Sequence, residues 1–176
     1  MWFGTIGDGL VLVRPPNWIW VNEEISNLSS NSIRDIIAPD SAYAWVAHRD
    51  TGLSLVYADE ELIRTFRIDS EIPHNRVEGI AFGPDGSVWF RNPLMSFDGA
   101  NWEDFSETES LVSDGFGTPT VSAMGFSEDG TLWLARSLGR ALIQYKFEHL
   151  LVSWNGESWE KYGFEDEVME GKAIDL

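Results

Sequence analysis

Gly83-Pro84-Asp85-Gly86-Ser87-Val88-Trp89-Phe90-Arg91-Asn92 runs from a turn into a short apolar, β-prone segment centred on a tryptophan. Pro, Asp and Gly in that order preset the backbone angles of a tight hairpin. Related text surrounds Trp2 (Met1-Trp2-Phe3-Gly4-Thr5), Trp45 (Tyr43-Ala44-Trp45-Val46-Ala47-His48) and Trp133 (Thr131-Leu132-Trp133-Leu134-Ala135-Arg136). The gaps between these tryptophans are 43, 44 and 44 residues. Two further turns keep step with them, Ala38-Pro39-Asp40-Ser41 and Ser127-Glu128-Asp129-Gly130.

Other echoes run outward from the tryptophan. Twelve residues upstream of Trp45, Trp89 and Trp133 lie Ile33, Val77 and Val121, each in an apolar segment that leads into the turn. That segment is repeat position A and the tryptophan segment is B, expected as antiparallel neighbours. Downstream, an apolar pair three residues apart marks D: Trp18 with Val21, Ile63 with Phe66, Trp102 with Phe105, and Trp159 with Tyr162. Between B and D, segments 9–13, 52–57, 94–97 and 150–154 supply C. Short strands at a period in the forties are the mark of a β-propeller, with one four-stranded blade per repeat.

The expected fold is therefore all-β: about four antiparallel blades of about 44 residues, in the order B-C-D, A-B-C-D, A-B-C-D, A-B-C-D, A. Residues 168–174 supply the last A, so the first blade is expected to be shared between the two ends, which covers strand edges. The chain stops before the turn that would follow. A closed four-bladed ring, a piece of a longer propeller and two copies in one larger ring all remain open. The whole of 1–176 reads as a single propeller unit, with 107–120 as a loop between blades or a linker and an insertion near Ala141 to Phe147.

Composition narrows the chemistry. Twelve basic against 29 acidic residues give a net charge of −17, which repels nucleic acid and anionic membranes. The acidic runs Asp59-Glu60-Glu61 and Glu165-Asp166-Glu167 read as solvated surface. No segment approaches the roughly 18 apolar residues of a membrane span, and no signal peptide opens the chain. A natural start at Met1 implies the cytoplasm, whereas an excised domain leaves the export signal outside. Zero cysteines exclude disulfides, thiol catalysis and thiolate metal sites.

Asn27-Leu28-Ser29-Ser30-Asn31-Ser32-Ile33, Trp2-Phe3-Gly4-Thr5, Gly9-Leu10, Phe97-Asp98-Gly99-Ala100-Asn101-Trp102 and Trp154-Asn155-Gly156-Glu157-Ser158-Trp159 resemble the two-component regulator propeller repeats. That resemblance covers the whole chain. It implies a bacterial sensor-type propeller, extracytoplasmic if the chain is an excised domain. Two departures stand out: the Gly-Thr pair follows only the first tryptophan, and the family's usual seven blades exceed the four repeats here. Over one or two blades, Phe82 to Phe90 also resembles the streptogramin lyases, which implies a metal-assisted lyase as the alternative function.

No nucleophile elbow, zinc-protease helix, P-loop or calcium loop occurs, and no cofactor or metal is expected. Seven of the nine tryptophans, including Trp18, hold repeat positions and read as wedges between blades; Trp20 and Trp154 stand outside that frame. Function should concentrate on the more variable D-to-A and B-to-C loops, which emerge on one side. Three residues after each B tryptophan stand Thr5, His48, Asn92 and Arg136. With Arg49, His74 and Arg91 they predict a basic and polar mouth. The expected activity is non-catalytic binding of a small polar or anionic ligand or a protein partner, with a structural half of an oligomeric propeller, such as a homodimer, as a further alternative.

Overall fold

The computed structural model describes residues 1–26, 28–40, 42–58, 63–66, 76–105, 120–137 and 150–162. The chain divides into two compact units, Met1–Ser106 and Glu107–Leu176. Unit 1 contains three antiparallel sheets. The first is β1 (Trp2–Gly4), β2 (Leu10–Arg14) and β3 (Asn17–Val21), followed by a single helical turn, α1 (Glu23–Ser26). The second is β4 (Ile33–Ile37), β5 (Tyr43–His48), β6 (Leu53–Tyr57) and β7 (Ile63–Phe66). The third is β8 (Gly79–Phe82), β9 (Val88–Arg91), β10 (Met95–Phe97) and β11 (Trp102–Asp104). Unit 2 holds the fourth sheet, β12 (Thr120–Phe126), β13 (Leu132–Ser137), β14 (Leu150–Trp154) and β15 (Trp159–Tyr162).

In every sheet the strands are hydrogen-bonded in chain order, so the segments assigned to B, C and D, and to A where it is present, pair as their sequence order requires. The final A segment at 168–174, the insertion at 141–147 and most of 107–120 lie outside the described residues.

Turn chemistry closes the A-to-B hairpins. Gly86 has φ +87° and Gly130 +85°, a left-handed conformation that a side chain resists. Asp85 Oδ1 accepts from the Ser87 amide at 2.9 Å, and Asp129 Oδ1 from the Thr131 amide at 3.0 Å. These turns also anchor the tryptophans, because Trp89 Nε1 donates to Ser87 Oγ at 3.0 Å and Trp133 Nε1 to Ser127 Oγ at 3.2 Å. Trp2 Nε1 is buried and has no partner among the described residues. At the C-to-D turns, Asp98 and Asn155 each cap two amides with one side-chain oxygen.

Strand alternation sends side chains to two faces, and the second sheet is covered on both. Ala44, Val46 and Val56 share a core with Trp2, Leu10, Leu12 and Val21 of the first sheet. Trp45, Ala47, Leu53 and Leu55 share another with Val88, Phe90, Met95 and Phe97 of the third. The face bearing the B tryptophan thus points forward to the next sheet, and the opposite face points back. Trp45 is stacked on Phe66 at 5.2 Å and meets the edges of Phe90 at 5.6 Å and Trp102 at 6.5 Å. The same B-on-D aromatic pair recurs as Trp89 with Phe105 at 4.9 Å and Trp133 with Tyr162 at 5.3 Å.

One wedge assignment is corrected. Trp18 is 66% exposed, and Trp20 beside it 48%. Trp18 pairs with Val13, and Trp20 with Val11 opposite Phe3, so these residues occupy the backward face of the first sheet. Among the described residues of unit 1, it is the forward face of that sheet that packs against the second sheet. Repeat position assigns a residue to a face; whether another sheet covers that face is a separate matter.

Candidate ligand-binding rim

The β4 and β8 strands, both at repeat position A, are joined at their ends by charge. A bulge between Ile33 and Asp35 turns the start of β4. Asp35 then uses Oδ2 to accept the Ile80 amide of β8 at 2.9 Å. Glu78, just before β8, accepts from Arg76 at 2.8 Å and Asn92 Nδ2 at 2.9 Å, with Arg34 of β4 at 3.7 Å. Burial alone would raise the Glu78 pKa, but the Asn92 hydrogen bond and the Arg76 and Arg34 charges hold it below the ordinary glutamate value.

Asn92 reaches Glu78 from an unusual backbone, with φ 56° and a cis bond to Pro93 at the turn between β9 and β10. Next to it, the half-buried Arg91 lies across Gly79, where a Cβ would overlap its side chain. Glycine at 79 therefore gives Arg91 its path over β8. On the other side of β4, Thr5, Ser32, Arg34, Asp35 and Arg49 line a cavity of about 400 Å³. Thr5 is engaged in its own turn, accepting the Asp8 amide at 3.0 Å and donating to the Gly9 carbonyl at 2.8 Å.

The predicted mouth is thus brought together in part. Arg91 and Asn92 adjoin Glu78, and Arg49 is exposed at the cavity lined by Arg34. His48 is fully buried, with Nε2 2.8 Å from Ser54 Oγ, and presents no surface to a solute. It points inward because β5 runs on through His48, and alternation puts its ring on the side of Ala44 and Val46. Ser29, 3.4 Å from Ser54 Oγ and 3.1 Å from Thr51 Oγ1, extends this enclosed network. A buried His–Ser contact of this kind ties β5 to β6 and is closed to substrate. His74 lies outside the described residues; Arg136 belongs to β13 of unit 2, its side chain outside them too.

Arg34 and Arg76 were absent from the predicted set although a signal existed. Arg34 follows Ile33, Glu78 follows Val77, and Arg76 precedes it, all beside the twelve-residue echo. Comparing only the positions after the B tryptophans overlooks the start of A. In unit 1 the region therefore gathers Arg34, Arg49, Arg76 and Arg91 with Asp35 and Glu78, a local excess of positive charge on a chain of −17. Among the described residues no group of three or more His, Asp or Glu is placed to hold a metal ion.

No protein-family model and no curated protein sequence matches the chain. Solved structures do. The extracellular domain described as that of the hybrid two-component system BT3049 from B. thetaiotaomicron superposes with a TM-score of 0.67 at 16% identity, over 92% of this chain and 21% of that one. The corresponding domain of BT4673 from the same organism gives 0.55 at 14% identity, over 93% and 29%. YCF48 bound to D1 peptide gives 0.50 at 15% identity, over 84% and 45%. The chain spans less than a third of either extracellular domain. Among the described residues, no helix is long and apolar enough to cross a membrane. With its sheets in blade order, the chain is a β-propeller, similar in fold to these extracellular domains.

Proposed function

We propose that the chain is a non-catalytic binding module of a sensor-type propeller, acting outside the cytoplasm and taking an anionic, polyhydroxylated ligand at the arginine-rich ends of β4 and β8. The observation that carries this reading is the cavity of about 400 Å³ lined by Arg34 and Arg49 on a strongly acidic chain. Arginine offers fixed donors suited to carboxylate and phosphate oxygens, and Thr5, Ser32 and Asp35 in the same wall suit hydroxyl groups. YCF48, of related fold, is bound to a peptide, so peptide carboxylates belong in the same test.

The reading is tested by a thermal-shift panel of uronic acids, sugar phosphates and short acidic peptides against the parent and the Arg34→Ala/Arg49→Ala variant. A stabilising anion in the parent that fails to stabilise the variant supports it. Equal stabilisation of both proteins places the ligand elsewhere.

A further inference from the structure

Arg34 is shared between the cavity and a carboxylate outside it. It lines the cavity wall with Arg49 and Asp35, and its Nη2 lies 3.7 Å from Glu78 Oε1 on the other side of β4. Glu78 does not depend on that contact. Arg76 Nη2 reaches the same oxygen at 2.8 Å, and Asn92 Nδ2 donates to Oε2 at 2.9 Å. Both oxygens keep a shorter partner when Arg34 turns away, which makes Arg34 the labile member of the cluster. Its side chain is 42% exposed against 22% for Glu78, so Arg34 has room to move and Glu78 has little. Burial alone would raise the Glu78 pKa, but the Asn92 hydrogen bond and the two arginine charges hold it below the ordinary glutamate value. The carboxylate therefore stays charged at neutral pH and repels an anion that approaches Arg34.

The wall itself carries little charge. Arg34 and Arg49 are set against Asp35, whose carboxylate is held in place by the Ile80 amide at 2.9 Å. Resting on the reading of this cavity as the ligand site, we infer that Glu78 is a built-in competitor for Arg34, which holds anion affinity down and selects singly charged carboxylates over doubly charged phosphates. Its repulsion scales with the charge of the ligand, so a dianion feels it twice over. The contact that joins β4 to β8 thus opposes binding, and its removal moves stability and affinity in opposite directions.

Backbone-amide chemical-shift titrations with glucuronate, a monoanion, and glucose-6-phosphate test this at about pH 8, where a phosphate monoester carries nearly two charges. The proteins are the parent, Glu78→Gln, Glu103→Gln and Arg34→Ala/Arg49→Ala, and their amide spectra confirm that each is folded. Glu78→Gln should tighten glucuronate on the order of threefold and glucose-6-phosphate on the order of tenfold, because the repulsion removed doubles with the ligand charge. Added salt should shrink both gains. Glu103→Gln removes an equal charge from β11, at the edge of the third sheet opposite β8, and should leave both affinities unchanged. With binding lost in Arg34→Ala/Arg49→Ala, three results overturn the inference and leave the cavity as the site: no gain in Glu78→Gln, a gain matched by Glu103→Gln, or equal gains for the two probes. A parent that binds neither probe, or a double arginine variant that binds like the parent, removes the site and the inference with it.

Discussion

Arg34 and Glu78 occupy the same position in successive repeats, each one residue after the start of the A segment, and their side chains meet at 3.7 Å. One repeat position thus carries opposite charges in adjacent sheets. With the Asp35 carboxylate on the Ile80 amide, this fixes the end of β4 to β8, and Arg34 and Asp35 also line the candidate cavity on the other side of β4.

Glu78 gives the pH dependence its sign. Its pKa lies below the ordinary 4.5 in the folded state, so the unfolded chain binds the proton more readily. The stabilisation is complete above about pH 4.5 and is lost as the pH falls through the lower folded value. Urea denaturation at stepped pH should show Glu78→Gln less stable than the parent at neutral pH, with the difference narrowing in acid. A difference that grows in acid would contradict this assignment.

Trp45 and Trp18 should differ sharply. Trp45→Ala removes a ring packed between two sheets and should cost about 3 to 5 kcal/mol. Trp18→Ala removes an exposed ring and should change stability by about 0.5 kcal/mol or less. Denaturation midpoints of the two variants, compared at constant slope, measure both.

Ser87 joins the hairpin turn to the core. Its hydroxyl donates to Asp85 at 2.6 Å and accepts the Trp89 indole N–H at 3.0 Å. Ser87→Ala leaves that indole without its acceptor and should destabilise by about 1 to 3 kcal/mol. Ser87→Thr keeps the hydroxyl and should recover part of the loss, a contrast readable by thermal melting.

Gly79→Ala should displace Arg91 rather than unfold the sheet, because the added methyl meets a flexible side chain. Binding of an anion at the rim should weaken while the melting temperature moves by only a few degrees. A variant with unchanged affinity would remove Arg91 from the site.

Much of the fold is legible in the repeat text because tryptophan position and turn chemistry agree. From the Trp45 repeat to the Trp89 repeat, a Pro-Asp hairpin turn and a D aromatic recur around the tryptophan, whereas the serine that accepts the Trp89 indole has Tyr43 at its equivalent position. The exposure of Trp18 is illegible, since periodicity identifies a face without revealing what lies against it. The position of His48 misled for a local reason: β5 continues through it, whereas β9 ends at Arg91 and leaves Asn92 in the turn. Equal spacing after a tryptophan therefore does not give equal exposure. The Arg34–Glu78 pair was hidden because opposite charges at one repeat position look like variation until two sheets are set side by side.

Calorimetric titration of the anion that stabilises the parent most, into the parent and the Arg49→Ala/Arg91→Ala variant at low and high salt, tests the binding claim directly. The account predicts that parent affinity falls as salt rises, because exposed charges are screened over about 10 Å at 0.1 M, and that the variant shows no measurable heat of binding at either salt. A variant that binds as tightly as the parent, with the same salt dependence, would contradict the assignment of the rim as the ligand site.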